Sequence, residues 1–234
     1  NDNALPARNQ ALEYDALYRL TQANGIYGTY TYGYDTDNNR TALSLTSTGN
    51  SYSATYGYAA NSNQLQSVTQ GTSVRNISYT ANGNTQQDQF GTVQVFTYTY
   101  NQDNRLIQAS LGGVPQASYT QNYLGQRVIK AVGPAATHFH YDRGGHLIAE
   151  SDGSGNVQRE YVFLDDMPIA FITPSGIDFI HPDHLGTPQK MTDANQNIVW
   201  DGAGSDPFMM NPLPTMPAMG LRFPGQYYDS ETGL

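Results

Sequence analysis

At 234 residues the chain is long enough for a sizeable core in one or two domains, and it has no cysteine, which excludes a disulfide framework, a thiolate metal site and a cysteine nucleophile. Eleven basic residues against twenty acidic ones give a net charge of −9, without the basic patch that phosphate recognition requires, so no nucleic-acid partner is expected. No charge-free apolar run approaches the roughly 18 residues of a membrane-spanning helix, so no membrane insertion is expected.

The start, Asn1-Asp2-Asn3-Ala4, lacks the basic and apolar stretches of a signal peptide, and the chain reads as the interior of something longer. Branched aliphatic and Phe content lies near the level at which disorder becomes an issue. Eighteen tyrosines supply the missing buried area, since each aromatic covers on the order of 150–250 Å². Tyr, Thr and Val favour strands, whereas the abundant Gly and Asn favour turns, so the bias is all-β.

Taken in chain order, the predicted elements are copies of one unit: an aromatic-x-aromatic strand, a short polar turn, and an apolar return strand closing on Gly. Copies begin at Leu12, Thr31, Ala54, Ile77, Phe96, Ser118, His138 and Glu160, with a diverged one at Asp178. The last aromatics before each turn are Tyr14, Tyr34, Tyr58, Tyr79, Tyr100, Tyr123, Tyr141 and Phe163, spaced 18 to 24 residues apart. Such self-similarity is the signature of a repeat architecture. In Tyr98-Thr99-Tyr100 the two rings share one face of the strand. A lone hairpin is marginal in water, so order must come from stacking neighbours into one sheet. The expected fold is all-β: tandem hairpins of about 18 strands forming a long antiparallel sheet that twist curls into a spiral. Residues 1–200 are expected to be hairpin repeats, and residues 201–234 a Pro/Met-rich segment followed by a distinct C-terminal motif.

These units resemble the YD repeats of the RHS family. Tyr14-Asp15, Tyr34-Asp35 and Tyr141-Asp142 match its tyrosine-aspartate pair, and Asn39-Arg40 and Asn104-Arg105-Leu106 match the second half of the repeat. Tyr58-Ala59, Tyr79-Thr80 and Tyr123-Leu124 lack the acid, so the carboxylate reads as a turn former. His184-Leu185-Gly186-Thr187-Pro188, Met191-Thr192-Asp193, Asp206-Pro207-Phe208 and Arg222 through Leu234 are similar to the RHS-associated core signature.

The resemblance implies a polymorphic-toxin shell, secreted or at the bacterial cell surface, whose repeats enclose a C-terminal toxin. Its implied partners are the rest of the shell, the toxin cargo and secretion machinery, with self-association through exposed strand edges. The self-cleavage element and the toxin of the family would follow Leu234, so no residue here is assigned to autoproteolysis. A cell-surface adhesion or carbohydrate-binding module, with rings such as Tyr98 stacking on sugars, is the alternative.

Candidate sites are weighed against plain architecture. His138-x-His140, with His181 and His184, has a spacing found in metal sites, but His138 and His140 stand where other copies carry ring residues. Ser154 lies between Gly153 and Gly155 with no Gly-x-Ser-x-Gly elbow, and Asp165-Asp166 and Asp183 suit turns. The expectation is no catalytic residue, no metal and no cofactor, and no enzymatic activity of this segment. Between Asp206 and Pro224 prolines and methionines concentrate, which disfavours a central strand. This stretch is expected to leave the sheet and cap or line a cavity, with Trp200 and Phe208 as anchors.

Overall fold

The computed structural model describes residues 9–202, 207–208, 219–223 and 226–234. Among them the named elements are nineteen β-strands. The first nine are β1 (Ala11–Tyr14), β2 (Leu20–Gly25), β3 (Gly28–Tyr34), β4 (Arg40–Thr46), β5 (Tyr52–Tyr58), β6 (Leu65–Gln70), β7 (Ser73–Tyr79), β8 (Thr85–Phe90) and β9 (Gln94–Tyr100). They are followed by β10 (Leu106–Leu111), β11 (Val114–Gln121), β12 (Arg127–Val132), β13 (Ala135–Tyr141) and β14 (Leu147–Asp152). The last five are β15 (Val157–Leu164), β16 (Met167–Thr173), β17 (Gly176–Pro182), β18 (Pro188–Thr192) and β19 (Ile198–Asp201).

The described residues divide into two compact units, one running to Thr97 with Pro207 and Phe208, the other from Tyr98 to Gly202 with the residues from Met219 on. In the first unit, β1 to β9 each pair antiparallel with the next strand of the chain. In the second unit, β10 to β19 do the same. Each unit is an unclosed sheet of consecutive hairpins, and the expected all-β antiparallel fold is the one observed. The register shifts at the strand ends, just before Tyr34, Tyr58, Tyr79, Tyr141 and Phe163. Bulges of this kind bend the strand and increase its twist, so a sheet that repeats them curls as it grows.

The turn chemistry explains the repeated acid. The Asp35 N–H donates to the Asn39 carbonyl (3.0 Å), and Asp35 Oδ1 accepts from the N–H groups of Asp37 and Asn39 at 2.9 and 2.8 Å. Asp15, Asn101, Asn122, Asp152, Asp183 and Asp193 build the same loop. The residue three further on has a positive φ, 68° at Asn38 and 77° at Gly125, where Asn and Gly are the tolerated types. Where the acid is missing, Thr80 substitutes its hydroxyl, which accepts from the Asn84 N–H (3.2 Å). The turn role of the carboxylate follows from this geometry.

The tyrosine before each turn has a second job besides packing. The hydroxyls of Tyr34, Tyr58, Tyr79 and Tyr141 donate to the backbone carbonyls of Leu20, Arg40, Leu65 and Arg127, at 2.8–3.0 Å. Each acceptor is the first residue of the preceding strand, so the ring closes the end of the hairpin before it. One assignment from the spacing is corrected here: Tyr123 is not the ring of its copy. It lies in the turn and is 95% exposed, and the series position belongs to Gln121, whose amide donates to the Leu106 carbonyl at 2.6 Å. Tyr123→Ala should therefore change stability by less than about 0.5 kcal/mol. Gln121→Ala should cost about 0.5–1.5 kcal/mol by removing the donor to that carbonyl. Urea melts of both variants check the contrast.

Burial follows the aromatic alternation. Tyr30 and Tyr32 are buried around an exposed Thr31, with ring centroids 6.1 Å apart and planes 16° apart. They belong to the core of the first unit with Ala23, Tyr27, Leu43, Leu45 and Ala54. Phe208 meets Tyr32 edge-on at 5.3 Å, and Trp200 in the second unit is 4% exposed. Of the two expected anchors Trp200 is buried and Phe208 is largely exposed, touching Tyr32 by one edge, while the Pro/Met-rich stretch 209–218 lies outside the described residues.

Candidate functional site: the cradle of the C-terminal motif

One position of the repeat decides what the packed face can hold. Three residues beyond the partner of each strand-end residue, the return strand carries Ala23, Leu43, Val68, Phe171 or Met191. These side chains are buried or half-buried. In three copies the same position is ionic: Asp88, Lys130 and Glu150. Asp88 is answered within its own hairpin by Arg75 Nε at 2.7 Å. Lys130 and Glu150, from consecutive copies in the second unit, are also answered by residues about 80 to 100 positions away in the chain.

Those distant partners belong to a small C-terminal hairpin. Leu221 and Tyr227 form an antiparallel bridge, the Tyr228 N–H donates to the Gly220 carbonyl (2.8 Å), and Asp229 opens a turn that receives the N–H groups of Thr232 and Gly233. Gly220 is required by close approach: a Cβ there would stand 2.2 Å from the Tyr227 ring. The buried Asp229 carboxylate takes Arg127 on Oδ2 and Lys130 on Oδ1 (2.9 Å), and Lys130 also reaches Glu231 at 3.0 Å. Arg127 lies over three rings, Tyr119, Phe139 and Tyr227, at 4.7–5.3 Å. The Tyr227 hydroxyl then donates to Glu150 Oε2 (3.1 Å), which also accepts Arg159 Nη1 (2.8 Å), while Tyr161 donates to Oε1 (2.6 Å).

Glu150 is 0% exposed, and such a charge survives burial only when paired and hydrogen-bonded on all sides. Burial raises the hydroxyl pKa of Tyr227 and Tyr161, and the Glu150 charge raises both further. Tyr119 is pushed up to about 12, by burial first and by the Asp229 charge second. These hydroxyls stay protonated, and those of Tyr227 and Tyr161 donate to Glu150.

Beside this hairpin is a cavity of about 310 Å³ lined by His146, Phe163, Pro168, Arg222, Phe223 and Tyr227, among others. His146, the one histidine that sequence reasoning passed over, stands where other copies carry the Arg or Asn after the turn. It bonds Asp142 Oδ2 through Nδ1 and Asp166 Oδ1, in the next turn, through Nε2, both at 2.9 Å. Arg19 and Asn39 make equivalent links from one turn to the next. The ring also stacks on Phe163, with centroids 4.7 Å apart.

Hydrogen bonds to the two carboxylates raise the His146 pKa above its ordinary 6.5. Its contribution to stability is therefore complete below the unfolded value and lost as the pH rises through the raised folded value. Thermal midpoints of the wild type should fall as pH rises across that window. His146→Asn, which copies the residue of other turns, should flatten the profile there.

The residues singled out from the sequence are placed as follows. His138 and His140 sit on β13 and His181 on β17, four strands along, so they are not brought together. His140 Nε2 meets Ser151 Oγ at 2.8 Å, His181 Nε2 meets Thr192 Oγ1 at 2.9 Å, and His184 is exposed in its turn. Ser154 lies in the Asp152 turn, Asp183 holds its own turn, and Asp165 has a positive φ of 52°. Asp166 is the acceptor of His146 described above. Tyr98, on which a sugar-stacking reading relied, is buried.

Residues 177–206 match the family model described as RHS protein. A 58-residue stretch is 41% identical to the toxin protein Tse5 of Pseudomonas aeruginosa, covering 25% of this chain and 4% of that protein, so the chain spans only a small part of its relative. Among solved structures, the crystal structure of TcdB2-TccC3-Cdc42 is similar over 83% of this chain and 13% of that one, with 14% identity and a TM-score of 0.48. The Photorhabdus luminescens Tc holotoxin pore gives 12% identity and a TM-score of 0.39 over 79% of this chain and 12% of that one.

Proposed function

We propose that this chain is an RHS repeat protein, a reading supported by its local match to that family and to Tse5, and that it forms part of the wall of a secreted toxin shell enclosing a C-terminal toxic cargo. The observation that carries this reading is the repeated packed position. Copies in each unit contribute one buried or half-buried side chain there, so the packed face is continued by adding copies and needs no central pocket. A wall of this type excludes water and proteases from what lies behind it without performing chemistry. Two of the three copies that carry ions there, those of Lys130 and Glu150, receive the C-terminal hairpin instead. The hold on that hairpin through Asp229 and Tyr227 supports reading it as the segment that leads toward a cargo.

In this reading the segment has no catalytic role of its own. Its partners are the remaining copies of the shell, the cargo and the machinery that exports it. Self-association through free strand edges is the further expectation, since unpaired ladder groups invite another strand. The test is protease challenge of a polypeptide in which this chain is followed by a C-terminal toxin domain. The downstream domain should resist digestion in the intact protein and become digestible when Tyr30→Ala opens the wall. A downstream domain digested equally fast in both would overturn the proposal.

A further inference from the structure

The cavity beside the C-terminal hairpin holds one charge that no carboxylate among the described residues answers. Arg127 and Arg159 each meet a carboxylate. Arg222 does not. Its Nη1 donates to the carbonyls of Met219 and Leu221, at 2.9 Å each, and its guanidinium lies 4.9 Å over the Tyr228 ring. Among the described residues no carboxylate stands within ion-pair distance of it. Burial lowers its pKa, so the cation is held at a desolvation cost.

The other walls are mostly flat and apolar, with Phe163, Pro168 and Phe223 prominent, and the exposed Gln226 adds a carboxamide. The acid on the lining, Asp166, is already bonded to His146. At about 310 Å³, the space falls at the small end of the range for organic ligands.

We propose that this cavity binds a carboxylate carried on a flat apolar body, with the carboxylate paired to Arg222 and the body against Phe163 and Phe223. A planar guanidinium presents parallel N–H donors that suit a carboxylate. The carboxylate can come from a free aromatic acid or from an acidic side chain next to an aromatic one in a polypeptide. The inference does not depend on the shell reading, since it rests on the cavity alone.

The test titrates the intact chain with phenylacetate, with neutral phenylacetamide, and with a blocked phenylalanyl-aspartyl dipeptide amide, following NMR shifts and calorimetric heats. An acid probe should bind at least about tenfold tighter than phenylacetamide, the scale of one charge-assisted contact. Binding should fall by a similar factor in Arg222→Gln and should weaken in Phe163→Ala. Phenylacetate binding alone assigns the site to free acids, and dipeptide binding alone assigns it to a polypeptide.

Equal affinity for acid and amide overturns the proposal, as does acid binding undiminished in Arg222→Gln. Failure of both acids to bind into the tens of millimolar also overturns it. The acid-amide comparison uses unaltered protein, so it stands even if Arg222→Gln loosens the hairpin.

Discussion

Asp229→Ala is expected to release the C-terminal hairpin from the sheet. The carboxylate is buried, and its loss leaves Arg127 with no carboxylate while Lys130 keeps only Glu231. Breaking a buried pair by deleting one partner costs about 3–5 kcal/mol, because the surviving charge stays desolvated. Hydrogen exchange should show amides from Gln226 to Leu234 losing protection, while those of β15 to β17 keep theirs. Asp229→Asn should behave almost as badly, since the charge and not the shape is what the two cations need. Arg127→Met combined with Asp229→Leu should recover much of the loss, because removing both charges removes the orphan. If Asp229→Ala leaves the exchange pattern of the hairpin unchanged, the cradle does not hold it.

Tyr30→Ala is expected to collapse the first unit. The ring is 0% exposed, tilted against Tyr27 at 5.5 Å and stacked on Tyr32. Truncating a buried aromatic to Ala costs about 3–5 kcal/mol, the transfer loss plus the cavity left behind. In a chain built by adjacency the defect should spread through β2 to β5, whose buried side chains meet in the same core. Loss of exchange protection across those strands, with a lowered urea midpoint, is the expected result. A change no larger than that of Tyr123→Ala would show that the aromatic row does not carry the unit.

The repeat, the hairpin order and the turn role of the acids were legible in the sequence because they rest on local rules. Side chains two apart share a face, and Asp or Asn folds back on its own backbone. Tyr123 misled for the same reason: counting aromatics finds rings, whereas the structure selects by register, and at Gln121 an amide does the hydroxyl's work. Lys130 and Glu150 were readable in principle, as ions at positions where Ala23 and Leu43 are apolar, but only after the copies are aligned on the bulge and not on the aromatic.

Their partners were not readable, since nothing local ties Lys130 to Asp229 or Glu150 to Tyr227. His138-x-His140 is the more conspicuous pattern, but its two side chains share a strand face without meeting His181, whereas His146 stands alone in the sequence. The signal for His146 was its place after the turn, where Arg19 stands in the first copy.

The hydroxyl that reaches back to the start of the preceding strand has an evolutionary consequence. A copy that carries it completes the one before, so gene duplication or loss in whole periods preserves every such bond. A deletion that stops partway through a period strands a carbonyl on one side and a phenol on the other. Length should therefore vary among related chains in steps of one period, with indels avoiding the span between a tyrosine and its acceptor.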